Sequence, residues 1–316
     1  MNKVECYAAD VSKRELVTAT YPDEGSVIKR IANQDAAIGT WLDTLPAGSV
    51  IAMEATGTYH RRLAERAHER GFTVYVLNPR DVYYYARGMG ARGKTDPSDA
   101  KLLARYVAHE RAHLHPYVPP SAVCEGLVTL LERRAVLVRT RQTLTQSLAE
   151  LPALEHEKCD LFKSLATLIS AIDGKLDALT HSDDTTTALV ERLKTISGVG
   201  PLVSSLLYAL FKRFAFRHAD ALIAYVGLDP RPDESGQHRG RRRLSKRGHP
   251  EWRRLLVAAA MSAARTKVWT EYVNRQRAKG LPATAVHVIL ARKILRTAFA
   301  LFKNGQEFIP PAVQST

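Results

Sequence analysis

The sequence predicts a mixed α/β domain followed by an all-α half. Three observations carry this. Strand-like and helix-like runs alternate over residues 1 to about 110. Apolar residues then recur at helical spacing from about 121 onward. A Gly-, Pro- and Arg-rich stretch at 231–254 interrupts the helical half.

Within the first domain, residues 4–9, 15–21, 27–31, 50–53 and 72–77 read as strands. The second and third form a hairpin across the turn-rich stretch 21–25. Helical patterns run over 34–45, 59–70, where Gly71 ends the helix, and 97–108. An opening meander followed by alternating strands and helices predicts a mixed sheet covered by helices. That order matches an RNase H-like or RuvC-like nuclease core.

Residues 121–180 differ. Leu127, Leu130, Leu131, Leu144, Leu148, Leu161, Leu165, Leu168 and Leu176 recur at helical spacing, with charges between them. Two long helices broken near Pro152 fit. They form either a pair packed on its own domain or a coiled-coil arm for oligomerisation. Residues 181–187 read as a linker, and the chain is helical again from about 188. Gly198 and Gly200 precede a helix. The third glycine of a dinucleotide fingerprint is Val203, and the preceding segment is helical, so that reading fails. A helix-hairpin-helix turn contacting a phosphate fits better, with a plain helix–helix connection as the alternative.

Four acidic residues stand where such a core would place metal ligands. Asp10 and Glu54 end apolar runs. Asp96 and Asp99 sit three apart at a helix start, on one helix face. Oxygen ligands converging there suit Mg²⁺ or Mn²⁺. Each also has an ordinary reading: Asp96 as an N-cap before Pro97, Asp99 at the favoured end of the helix dipole, Asp10 as a turn residue and Glu54 as a surface acid.

The chain has 316 residues, enough for two domains, and a net charge of +14. That excess points to a polyanionic partner, most simply nucleic acid. No apolar run approaches the roughly 18 residues of a membrane span. The N-terminus enters a strand pattern at once, against a signal peptide. The three cysteines are far apart and form no Cys-x-x-Cys pair, so neither a disulfide framework nor a zinc site is indicated, and a cytoplasmic protein with reduced thiols is the natural reading.

Residues 231–254 hold nine Lys or Arg against three Asp or Glu. A cationic loop with Arg239, Arg241, Arg242, Arg243, Lys246 and Arg247 can follow a phosphate backbone. Trp252 reads as packing rather than base stacking. Ser235 and Ser245 are both hydroxyls among arginines, and chemistry alone leaves either as a phosphoryl nucleophile. No His/Asp relay is visible, so a hydrolase triad is unsupported.

Together these residues resemble the DEDD insertion-sequence transposases, which are similar to Piv-type DNA invertases and include bridge-RNA-guided serine recombinases. The resemblance rests on Asp10, Glu54-Ala-Thr-Gly-Thr-Tyr59, Val76-Leu-Asn-Pro79 and Lys94-Thr-Asp-x-x-Asp-Ala100. In the second half it rests on Ile196-Ser-Gly-Val-Gly200, Phe214-Ala-Phe216, Ala224-Tyr-Val-Gly-Leu-Asp-Pro-Arg231, Glu234-Ser-Gly236 and Leu244-Ser-Lys-Arg-Gly-His249. One departure is Ala8-Ala9, where the family more often has Gly-Ile or Gly-Val before the aspartate.

The resemblance implies a RuvC-like nuclease domain at 1–115, a coiled-coil arm and linker at 116–187, and a mainly helical transposase domain at 188–316. It assigns Asp10, Glu54, Asp96 and Asp99 to a metal tetrad and Ser235 to the nucleophile, with Ser245 a loop residue near DNA. It implies double-stranded target and donor DNA, a structured bridge RNA, and a homodimer or homotetramer in which one subunit's nuclease domain meets another's serine. A metal-dependent junction resolvase using water, or a non-catalytic nucleic-acid-binding protein, are the alternatives.

Overall fold

The computed structural model describes residues 5–22, 27–90, 95–231, 234–235, 238–240 and 242–310, and only the backbone at 234, 235, 238 and 239. It divides into two compact units, Met1–Pro119 and Pro120–Thr316. The helical segment 121–180 lies within the second unit.

The first unit runs β1 (Cys6–Val11), β2 (Glu15–Tyr21), β3 (Lys29–Ala32), α1 (Asp35–Leu42), β4 (Val50–Glu54), α2 (Arg61–Glu69), β5 (Thr73–Leu77), α3 (Pro79–Gly88) and α4 (Asp96–Glu110). Its sheet has the order β3-β2-β1-β4-β5. The first three strands form an antiparallel meander, and β1, β4 and β5 are parallel. Order and direction are compatible with the expected RNase H-like core.

Alternation along the strands sorts the core into two faces. Ala9, Val11, Ile51 and Met53 pack against Ile38, Trp41, Leu42, Leu63 and Ala67 of α1 and α2. Cys6, Ala8, Val50 and Ala52 pack against Leu103, Ala104 and Val107 of α4. The sequence reading misses α3. Only Val82 of this helix is buried, so no apolar period marks it. Its signal is the Asn78-Pro79 start, where the Asn78 side chain accepts the Arg80 N–H at 2.9 Å.

The second unit runs α5 (Ala122–Ser147), α6 (Glu155–Thr180), α7 (Asp184–Lys194), α8 (Pro201–Arg213), α9 (Ala219–Val226), β6 (Pro230–Arg231), β7 (Glu234–Ser235), β8 (His238–Arg239), β9 (Arg243–Leu244), α10 (Pro250–Ala263), α11 (Lys267–Arg277) and α12 (Ala283–Asn304). Helix α8 lies inside, its residues 203–211 all buried. The two long helices near Pro152 are present. Near the base, Leu127 and Leu131 of α5 and Ile172 and Leu176 of α6 join the core of their own unit. Farther out, Val136, Leu161 and Leu168 stay exposed. A two-pronged Arg134–Asp173 pair, 2.5 and 3.0 Å, clamps the helices between these parts.

Residues 184–187 belong to α7 rather than to a linker. Asp183 caps this helix by accepting the Thr186 N–H at 2.9 Å. Hydroxyls of Thr185 and Thr186 also donate to it, and these bonds hold its carboxyl well below the usual range.

Gly198 has φ +96°. A Cβ there would lie 2.5 Å from Ala263 Cβ and 2.8 Å from the Ala259 carbonyl, so the missing side chain admits α10. Packing alone thus accounts for Gly198. Gly200, the N-cap of α8, has nothing within 4 Å of a built Cβ and is the more open of the two. Among the described residues no helix is long and apolar enough to cross a membrane.

Gly198→Ala is expected to destabilise the protein by about 1–3 kcal/mol in urea unfolding, from overpacking and left-handed backbone, whereas Gly200→Ala leaves the midpoint near wild type. For the arm, light scattering should find a dimer or larger species, reduced when Leu161 and Leu168 are replaced by Lys; a wild-type monomer with and without nucleic acid contradicts an oligomerising arm.

Candidate functional site

The carboxylates are positioned by strand register. Ala9 of β1 pairs with Met53 of β4 in a parallel ladder, and Asp10 and Glu54 follow one residue later. In-register residues of parallel strands share a face. Ala8 and Ala52, two residues earlier, contribute to the core beneath α4. Asp10 and Glu54 therefore stand side by side at the carboxyl ends of neighbouring strands, on the α4 side, half-buried.

Helix α4 brings Asp96 and Asp99 to this face of the sheet, but its cap differs from the expected one. Thr95, not Asp96, is the N-cap: its hydroxyl accepts the Ser98 N–H at 3.3 Å, and Ser98 Oγ accepts the Thr95 N–H at 3.1 Å. The reciprocal Thr–Ser box places Asp96 and Pro97 both inside the first turn. Asp96 Oδ2 lies 3.8 Å from Arg30 Nη1, which binds Glu15 Oε1 at 2.7 Å. Beside Arg30, a depression of about 660 Å³ is lined by Ser12, Lys13, Arg14 and residues 30–32.

Among the described residues, no three His, Cys, Asp or Glu side chains gather closely enough to hold a metal ion. The adjoining elements bring two carboxylates together and place two more on the covering helix, but they do not converge on one point. Asp96, on the covering helix, lies instead beside Arg30 of β3. The donor set itself, four carboxylates, fits Mg²⁺ or Mn²⁺ and no softer metal.

Among the described residues, the basic segment is strand or loop up to His249 and helical from Pro250. β6 pairs with β9 and β7 with β8, Ser235 standing opposite His238. The side chains of Ser235 and Arg239, and all of Arg241, lie outside the described residues. Arg242, Arg243, Lys246 and Arg247 are exposed.

Ser245 is not. It is 4% exposed, its hydroxyl donates to Asp229 Oδ1, and its N–H donates to the Asp229 carbonyl at 3.0 Å. Through these bonds it closes the base of the loop. Lys246, at φ 52°, donates its N–H to the Gly227 carbonyl at 3.2 Å. A Cβ at Gly227 would fall 2.6 Å from Arg247 N, and one at Gly248 2.4 Å from the Tyr225 carbonyl. Both glycines are required by close backbone approach. Trp252 is buried and stacks on Tyr225, centroids 5.9 Å apart, as its packing role predicts.

Asp229 is the residue that sequence reasoning missed. Its signal was present in the Gly-Leu-Asp-Pro-Arg run, but nothing in one sequence couples it to a serine sixteen positions away.

Two family models match in tandem. A DEDD transposase model of the IS110 type matches residues 8–154. A model described as Transposase IS116/IS110/IS902 family matches residues 190–274. Among curated relatives, the chain is 29% identical to the pilin gene-inverting protein of Moraxella bovis over 268 residues, 82% of this chain and 81% of that one. It is 25% identical to the transposase for insertion sequence element IS1328 of Yersinia enterocolitica, over 98% of this chain and 99% of that one.

Ser245→Ala removes the hydroxyl that satisfies Asp229. It is expected to lower unfolding stability by about 1–3 kcal/mol; an unchanged urea midpoint would show that the stem does not depend on this bond.

Proposed function

The chain belongs to the family of IS110-type insertion-sequence transposases, DNA-rearranging enzymes, and on that footing we propose that it recombines DNA through a covalent link to Ser235. The observation that supports this most is the tandem match: one family model spans the carboxylate-bearing unit and the other the serine loop.

In this reading Ser235 Oγ gives up its proton and attacks a DNA phosphorus. The P–O3′ bond breaks, the leaving 3′ oxygen takes a proton, and a 5′-phosphoserine link remains. In the reverse step a 3′-OH from another strand attacks the same phosphorus and the serine leaves. One phosphodiester is exchanged for another, so ATP is not needed. Arg242, Arg243, Lys246 and Arg247 neutralise the phosphates around the serine. Asp10 and Glu54, with Asp96 and Asp99, would hold Mg²⁺ or Mn²⁺, which when bound polarises a phosphate and stabilises oxygen anions.

Double-stranded target and donor DNA are the proposed substrates, and a structured bridge RNA the proposed guide, with pairing carrying sequence choice. The working unit is a homodimer or homotetramer, for which the exposed Val136, Leu161 and Leu168 of the arm supply apolar surface.

Trapping on a nicked suicide substrate, followed by peptide mapping, is expected to find DNA on Ser235. Ser235→Ala should give no adduct, whereas Ser245→Ala should retain it at reduced yield. An adduct on Ser245, or cleavage without any adduct, would instead indicate another nucleophile or water. Asp10→Asn should abolish cleavage while DNA affinity stays within about threefold, since the remaining phosphate contacts are unchanged; full cleavage by this variant would remove the carboxylates from the reaction.

A further inference from the structure

Helix α3 carries a constellation that neither the carboxylates nor the serine loop uses. Arg80, Tyr83, Tyr84 and Arg87 follow i, i+3, i+4, i+7 and so share one helix face. Tyr83 and Tyr84 are 55% and 52% exposed. Their rings meet edge to face with centroids 5.5 Å apart. The Arg80 guanidinium lies 5.7 Å from the centre of the Tyr84 ring, and that of Arg87 lies 5.9 Å from the centre of Tyr83. Tyr85, the third of the run, turns instead onto Tyr106 of α4, centroids 4.5 Å apart, and Val82 is buried. One side of the helix is thus anchored, while the other holds out two rings and two cations.

Among the described residues, packing does not cover that outer side. Large aromatic rings are ordinarily covered, and two left open next to each other mark a contact surface. We propose that this face of α3 is a stacking platform for unpaired bases of a single-stranded nucleic-acid segment. The tyrosine rings would take base faces, and Arg80 and Arg87 the flanking phosphates. A duplex hides its base faces and offers phosphates and groove edges, on which the two rings cannot stack. An apolar protein helix would leave the two guanidinium groups without counter-charge, whereas the chain's net charge of +14 matches a polyanion.

The platform also has a useful location. Leu77, the last residue of β5, pairs in register with Glu54 and accepts the Ala55 N–H at 2.9 Å. Helix α3 starts two residues later, so it springs from the sheet end that bears Asp10 and Glu54. Strand capture beside those carboxylates rests on the recombinase reading; the binding itself does not.

The test is fluorescence anisotropy on the full chain without divalent cation. The probes are labelled oligo(dT) and oligo(rU) of roughly 12 nucleotides, and a blunt duplex of equal length. Tyr83→Ala/Tyr84→Ala should weaken single-strand binding by about tenfold or more, and duplex binding by less than about twofold. Tyr83→Phe/Tyr84→Phe, which keeps the rings, should bind like wild type. Loss on oligo(rU) only assigns RNA, loss on oligo(dT) only assigns a DNA strand, and loss on both assigns the shared chemistry; each supports the platform. Unchanged single-strand binding, or equal loss on duplex, overturns it. Photocrosslinking of 5-iodouracil oligonucleotides to the wild-type chain gives a check independent of variant folding: adducts at Tyr83 or Tyr84 support the proposal, and adducts only elsewhere overturn it. Failure of the Ser235 reading would appear as a missing adduct with these affinities unchanged.

Discussion

The parallel pairing of β1 with β4 is the constraint on which the first unit depends. It aligns Ala8 with Ala52 and Ala9 with Met53, and thereby sets Asp10 beside Glu54. Ala8, Ala9 and Ala52 are all fully buried, so helices approach the sheet closely on both faces. A one-residue slip in register would turn every side chain to the opposite face, breaking the core and the carboxylate pair together. Fold and candidate chemistry therefore share one determinant.

The second unit applies a comparable restraint to its cationic segment. Strand pairing of β6 with β9, the Asp229–Ser245 contact and the close passage of Gly227 beside residues 246–248 close the stem of the loop. Residues 231–249 hold seven basic and two acidic residues, and holding the ends of such a cationic segment together costs electrostatic work that these contacts offset.

Much of the fold was legible because its signals are local. Strands β1, β2, β4 and β5 follow period-two or continuous apolar runs, and the two long helices follow their leucines. What was illegible depends on tertiary partners. Helix α3 buries only Val82, so it carries no periodic trace. Asp96 looked like a cap because it precedes a proline, yet the Thr95–Ser98 exchange moves the helix start back by one residue. Ser235 and Ser245 were chemically equivalent in sequence, and only the fold turns Ser245 inward to Asp229. For the carboxylates, the strand ends and the helix start were legible, but the pairing of Asp96 with Arg30 depends on a residue of another strand.

The central claim is that Asp10 and Glu54, set side by side by strand register, anchor one divalent-cation centre. The direct measurement is Mn²⁺ binding to the full-length protein–DNA complex, followed by electron paramagnetic resonance, for wild type, Asp10→Asn, Glu54→Gln and the double variant. The account predicts that either single change removes the tightly bound Mn²⁺ as completely as the double, because the two side chains serve one site. Tight Mn²⁺ binding that survives in both single variants would contradict it.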